Sequence, residues 1–139
     1  MAYALDVTLV ASRTDTANVT GSDGTALTGV DVYRRGTFIL YVSALTGSTT
    51  LDVAIQAYIN GYWTDIARFA QVTAAGTRVL WDVGGTLGTG TTTIEEAQQD
   101  LNITVSTKRA GPWGTQLRAT WTIASVTSIT WTLVGTIQS

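Results

Sequence analysis

Carboxylates are the side chains of this sequence that could do chemistry, because histidine and cysteine are both absent. Without them the chain lacks the usual catalytic base, the thiol nucleophile and the usual ligands of transition metals. A glycosidase needs only two carboxylates, and the candidates are Asp52, Asp65 and Asp82. Each follows a turn or lies on the polar side of an alternating strand, a position typical of solvated residues. The sequence therefore predicts no catalytic residue and no enzymatic activity.

Glu95, Glu96 and Asp100 form the only acidic cluster of the sequence. Glu96 and Asp100 would share one face of a helix, where like charges repel unless a cation joins them. A calcium loop needs about six to eight oxygen ligands and a regular acidic pattern with a central glycine, which this segment lacks. The glycine-rich run 84–90 lacks the lysine of a phosphate-binding loop. We expect a solvated acidic face, with no metal site and no cofactor.

A group of aromatic side chains lies at the end of a predicted β-hairpin. Asn60 and Gly61 favour a two-residue type I′ turn, in which Tyr58 is opposite Trp63. Tyr62 would then lie on the other face of the hairpin. An exposed pair of Tyr58 and Trp63 could stack on a sugar or on a protein partner.

The residues that follow the turn favour a different interpretation. Trp63, Ile66 and Phe69 recur every three residues, a spacing that an unbroken strand cannot place on one face, so a bulge or a longer loop must intervene. We therefore expect Trp63 to turn inward and cap the core. Trp113 lies in a turn, GPWG, that its glycines and proline make rigid, and it is expected to be exposed or to pin a loop. The candidate contacts for a partner or a glycan are Tyr58, Tyr62, Trp63 and Trp113.

The composition predicts an all-β chain. Among 139 residues there are 27 threonines, 14 glycines and one proline, and threonine favours extended backbone while glycine favours turns. Short alternating segments separated by turn residues predict an antiparallel β-sandwich of jelly-roll type with about eight strands, formed by one domain spanning residues 1–139. A short helical or loop insertion is expected near 92–102. Alternation also predicts that Trp121 and Trp131 are buried.

The charge pattern argues against several classes of partner. The net charge is −2 and the pI is about 4.8, and the basic residues are scattered, whereas nucleic-acid binding needs a dense basic face. The longest uncharged apolar run, FILYV, is far shorter than the ~20 residues of a membrane span. The first residues lack the basic region of a signal peptide. We expect a soluble protein that binds neither nucleic acid nor membrane.

Three segments resemble a known family. The run GTFILYVSALTGSTTLDVAIQAYINGYWTDIARFAQVTAAGT and the later GPWGTQLRATWTI and SITWTLVG are similar to segments of small β-sandwich virion structural proteins of tailed bacteriophages. The resemblance covers residues 36–137. It implies a head decoration or accessory protein, or a neck or tail protein, made in the host cytoplasm and located in the virion. Its partners would be the major capsid protein or other virion proteins.

The terminal strands also favour assembly. The segments ALDVTLVA and SITWTLVGTI contain no lysine, arginine or proline, the residues with which monomeric proteins usually protect an edge strand. We therefore expect these strands to lie inside a sheet or to be covered by a partner, including another copy of the chain in a homo-oligomer. The alternative function is a carbohydrate-binding or adhesin module on a virion or cell surface.

Overall fold

A computed structural model describes residues 4–22, 27–84, 92–93, 107–108 and 113–139. Within them the chain forms strands joined by turns and one short 3-10 helix, Val30–Val32. The strands are β1 (Ala4–Asp15), β2 (Val19–Ser22), β3 (Leu27–Thr28), β4 (Arg35–Thr46), β5 (Thr50–Ile59), β6 (Tyr62–Arg68), β7 (Gly76–Val83), β8 (Thr92–Thr93), β9 (Thr107–Lys108), β10 (Gln116–Ala124) and β11 (Ser128–Gln138).

The strands form two sheets that pack face to face, so the predicted antiparallel all-β sandwich is confirmed. The first sheet has the order β1-β11-β4-β7, and the second has the order β2-β10-β5-β6-β9-β8 with β3 also paired to β10. Apart from the two-residue strands β3, β8 and β9, the strands pair in a nested way: β1 with β11, β2 with β10, β4 with β7 and β5 with β6. The β8–β9 pair is parallel. Among these nested strands, every connection except the β5–β6 turn leads from one sheet to the other.

The core lies between the sheets and follows the alternation of the strands. In β11, for example, every second residue from Ile129 to Ile137 faces inward, and the others face outward. Trp121 and Trp131 are 6% and 1% exposed, which confirms that they are core residues. Their rings meet edge to face with centroids 5.3 Å apart, a favourable arrangement for two aromatic rings.

Three local expectations differ from the structure. The segment TGSDG at 20–24 predicts a turn, but residues 19–22 form β2. The segment VDVYR at 30–34 favours a strand, but Val30–Val32 form the short 3-10 helix. The segment YWTDIARFAQV at 62–72 also favours a strand, but the strand ends at Arg68, after which Val72 makes a single bridge to Leu51. Of the predicted insertion near 92–102, Thr92 and Thr93 form β8, and the rest lies outside the described residues.

The two ends of the sandwich differ in the loops and chain termini that lie there. At one end, which we call the short-loop end, the connections 16–18, 47–49 and 125–127 each cross between the sheets in three residues. At the other, the terminal end, Ala4 pairs with Gln138. The β5–β6 turn and the chain at Trp113 lie at this terminal end, since Thr115 N donates to the carbonyl of Tyr58 over 3.1 Å.

A charged cluster covers the core at the end of β1. Arg13 donates to both carboxylate oxygens of Asp15, at 2.8 and 2.7 Å, and the indole Nε1 of Trp131 donates to Asp15 Oδ2 over 3.1 Å. The Arg13 guanidinium carbon lies 4.9 Å from the ring centroid of Trp121, within reach of a cation–π interaction. Burial alone would raise the pKa of Asp15, but these hydrogen bonds and the charge of Arg13 outweigh it and hold the pKa below its ordinary value.

Because of this cluster, we expect part of the free energy of unfolding to be lost at acid pH. Because the pKa of Asp15 is lower in the folded chain than its unfolded value of about 3.9, its contribution is present above that value and is lost as pH falls through the folded pKa. Asp15→Asn should cost about 1 kcal/mol at neutral pH through weaker hydrogen bonds to Arg13. Urea unfolding from neutral pH to about pH 2 should then show a smaller loss of stability in the variant than in the parent. Equal losses in the two proteins would contradict the assignment.

Candidate binding face

The second sheet turns a polar and aromatic face to solvent, which we call the outer face. Strand pairing of β2, β10, β5 and β6 arranges its side chains in four rows across the sheet. Beginning at the terminal end, these rows are Gln116, Tyr58 and Trp63; Arg118, Gln56 and Asp65; Ser22, Thr120, Ala54 and Arg68; and Thr20, Thr122 and Asp52.

The first row contains the predicted aromatic pair. Asn60 and Gly61 have φ angles of 47° and 90°, the positive values of a type I′ turn, and Tyr58 is opposite Trp63 as predicted. Their ring centroids are 5.1 Å apart. Both side chains are half-buried on the outer face.

The expectation that Trp63 caps the core is therefore wrong, and the register of β6 gives the reason. The predicted bulge exists, but it lies after Trp63, where the pairing shifts between Ile55 and Gln56 of β5. Ile66, the extra residue at this shift, and Phe69, which follows it, are buried in the core at 4% and 2% exposure. Trp63 precedes the shift and stays on the outer face.

The other two aromatic candidates do not join this pair. Tyr62 is opposite Ile59 at the tip of the hairpin and is 71% exposed. Trp113 is 7% exposed and packs against Phe38, with ring centroids 6.2 Å apart. Of the two alternatives for Trp113, exposure is wrong, because the side chain is buried at the end of the core beside Gly36, a position that agrees with the other alternative, pinning a loop. A ligand cannot stack on all four aromatic residues at once.

Two hydrogen bonds join the three side chains of the second row. Gln56 Nε2 donates to Asp65 Oδ1 over 2.8 Å, and Arg118 Nε donates to Gln56 Oε1 over 2.8 Å. Asp65 is 2% exposed although it lies on the outer face. The Arg118 guanidinium carbon lies 4.2 Å from the ring centroid of Trp63. Burial lowers the pKa of Arg118, and the charge of Asp65 opposes that shift.

The third and fourth rows surround a groove of about 480 Å³. Ala54 lies on its floor, and the longer side chains around this alanine form its walls. Asp52 accepts a hydrogen bond from Gln71 Nε2 at 3.0 Å. The groove thus combines hydroxyl, carboxylate, amide and guanidinium groups, provided by Thr20, Ser22, Asp52, Gln56, Asp65, Arg68, Thr120 and Thr122.

The structure brings two of the three carboxylates proposed for chemistry to the same groove. Asp52 and Asp65 border the groove, and each accepts a hydrogen bond from a glutamine. Asp82 belongs to β7 in the other sheet, and its side chain is outside the described part. The acidic cluster Glu95, Glu96 and Asp100 also lies outside the described residues.

Sequence reasoning missed the groove itself. Thr120 and Thr122 lie on the polar side of an alternating strand, which indicated an outward position but no partner. The groove depends on β2, which was not predicted, and on small Ala54 between larger polar residues of the neighbouring strands. The alternation of Asp52, Ala54 and Gln56 is the signal that could have identified its floor.

Comparison of the chain with protein families, with curated proteins and with solved structures finds no match. Within the described ranges, no group of three or more acidic side chains could hold a metal ion. The described part of the chain also contains no helix long and apolar enough to cross a membrane.

Proposed function

We propose that this protein is a bacteriophage virion structural protein, a capsid decoration or accessory protein that attaches through the edge of β1 and the terminal end. The proposal starts from the sequence resemblance. The all-β sandwich is compatible with that role, and the nested strand pairing supports the jelly-roll connectivity that the alternating segments predict.

The observation that carries the proposal is the edge of β1. This strand pairs with β11 on one side, and no strand among the described residues pairs with its other side. From Ala4 to Thr8 its register is regular, and Asp6 is the only charged residue there. An extended edge without lysine or proline is a template on which a strand of another chain can pair.

Exposed apolar side chains support the same location. Five large hydrophobic residues in the described part are exposed, and four of them lie at the terminal end: Leu5, Val32, Ile59 and Tyr62. The fifth, Tyr41, lies on the outward side of the first sheet. Apolar side chains gathered at one end favour a contact with another protein, such as the major capsid protein, another virion protein or a second copy of this chain.

A charge placed on the edge of β1 tests the proposal. Leu5 is 45% exposed, so Leu5→Lys should leave the fold intact while lysine opposes strand pairing. We expect the variant to lose co-sedimentation with assembled particles at concentrations where the parent binds. Deleting residues 1–4 should weaken attachment in the same way.

Tyr41→Lys provides the matched control, because Tyr41 is 47% exposed but away from the edge and the terminal end. It should co-sediment like the parent. Normal attachment of both Leu5→Lys and the deletion variant would contradict the proposed mode of assembly. Failure of the parent itself to bind particles would contradict the proposed function.

A further inference from the structure

The groove on the outer face is large enough to hold a small ligand. Its volume of about 480 Å³ falls within the range of about 300–1,000 Å³ that is usual for small-molecule sites. The concavity arises because Ala54 lies between the larger side chains of Gln56 and Asp52 on the same face of β5. Gly21, without a side chain, contributes to the rim formed by β2.

The chemistry of the lining favours a ligand rich in hydroxyl groups. Four hydroxyl side chains border the groove, and each can donate one hydrogen bond and accept others. The Thr20 and Thr122 oxygens are 3.5 Å apart, a long and therefore weak contact, so both hydroxyls can turn to a ligand. The two carboxylates and two guanidinium groups in and beside the groove cancel in formal charge. An anion or a cation would gain little there compared with a neutral polar molecule.

One wall of the site is held in place by hydrogen bonds. The residues that line the groove belong to strands. The network of Gln56, Asp65 and Arg118 fixes one wall with two hydrogen bonds of 2.8 Å. A site held in its binding geometry before the ligand arrives loses less conformational entropy on binding. Beyond that wall, the half-buried rings of Tyr58 and Trp63 add an apolar surface.

The length of the face indicates the size of the ligand. Successive rows are two residues apart along each strand, or about 7 Å, so the distance from Asp52 to Tyr58 is about 20 Å. A single sugar ring would cover only part of that distance. We propose that the outer face binds a neutral oligosaccharide, with its hydroxyls in the groove around Ala54 and one ring against Tyr58 and Trp63. This inference does not depend on attachment to a virion.

The test measures binding of neutral gluco-, manno-, galacto- and xylo-oligosaccharides, from tetra- to hexasaccharides, by tryptophan fluorescence and calorimetry. We expect saturable binding of at least one series. Ala54→Leu fills the floor of the groove and should weaken that binding at least about tenfold. Thr120→Val keeps the shape, removes one hydroxyl and should weaken it about fivefold.

The matched controls place the same substitutions on the other sheet. Ala44→Leu and Thr8→Val alter exposed residues of β4 and β1 and should bind like the parent, while thermal melting verifies that all four variants fold. The proposal is overturned if no series binds at millimolar concentration, or if Ala54→Leu binds as tightly as Ala44→Leu. Tighter binding of sulfated or carboxylated oligosaccharides than of their neutral counterparts would overturn the proposed ligand class.

Discussion

Replacing Trp131 by alanine is expected to lower the free energy of unfolding by about 3–5 kcal/mol, the usual cost of truncating a large buried aromatic residue. Trp131 is 1% exposed, and its loss would leave a cavity between the sheets. The substitution would also remove the ring contact with Trp121 and the indole hydrogen bond to Asp15. Urea denaturation at neutral pH measures the change, and Trp121→Ala should fall in the same range.

Trp63→Ala is the matched control for this prediction. Trp63 is half-buried on the outer face, so its truncation removes less apolar area and should cost only about 1–2 kcal/mol, including its contact with Arg118. A loss of stability as small in Trp131→Ala as in Trp63→Ala would contradict the assignment of strand faces in β11.

Replacing Gly114 by alanine should cost about 3–4 kcal/mol, of which up to about 3 kcal/mol comes from overpacking and about 1 kcal/mol from a lost hydrogen bond. A Cβ atom at this position would overlap the carbonyl oxygen of Tyr58, which belongs to backbone and cannot rotate away. Residues 113–115 would have to move, which breaks the hydrogen bond from Thr115 N to that carbonyl. The movement would also separate Trp113 from Phe38.

Gly61→Ala separates this steric effect from the general cost of losing a glycine. Gly61 has a φ of 90°, but no atom lies within 4 Å of an added Cβ, so backbone strain of about 1–2 kcal/mol is the whole expected cost. Thermal melting of the two variants should therefore show the larger decrease for Gly114→Ala. The reverse order would mean that residues 113–115 do not pack against the hairpin as described.

Local pattern was sufficient for most of the sandwich. The segments 51–59, 115–124 and 128–137 alternate cleanly, and each is a strand within one residue of the predicted limits. The turn at Asn60 and Gly61 was also predictable, because few residue pairs tolerate two successive positive φ angles. In all of these cases the residues that determine the structure are neighbours in the sequence.

Errors occurred where the determining contact is distant in the sequence. β2 contains Gly21 and was predicted as part of a turn, yet it is a strand because it pairs with β10 about a hundred residues later. Trp113 is flanked by turn residues, but its side chain is buried and packs against Phe38. The orientation of Trp63 depended on the position of a bulge, which the three-residue spacing indicated without locating it.

The candidate site was predictable only in part for the same reason. Tyr58 and Trp63 form a local pair and were identified from the hairpin. The groove requires Ala54 from β5, Thr120 from β10 and Ser22 from β2 to lie side by side. This register cannot be predicted from a local pattern, since it is set by pairing between strands that are far apart in the chain.

Nested strand pairing also has a consequence for how the chain acquires its structure during synthesis. β11, which lies between β1 and β4 in the first sheet, is the last strand of this sequence to be translated. Until it emerges, both of its neighbours lack the partner that joins them, while the β5–β6 hairpin can already form from local contacts. Topologies dominated by such distant pairings fold in about milliseconds to seconds. We expect the nascent chain to expose its apolar strands until β11 has been synthesised, and a fragment lacking residues 128–139 to aggregate instead of forming half a sandwich.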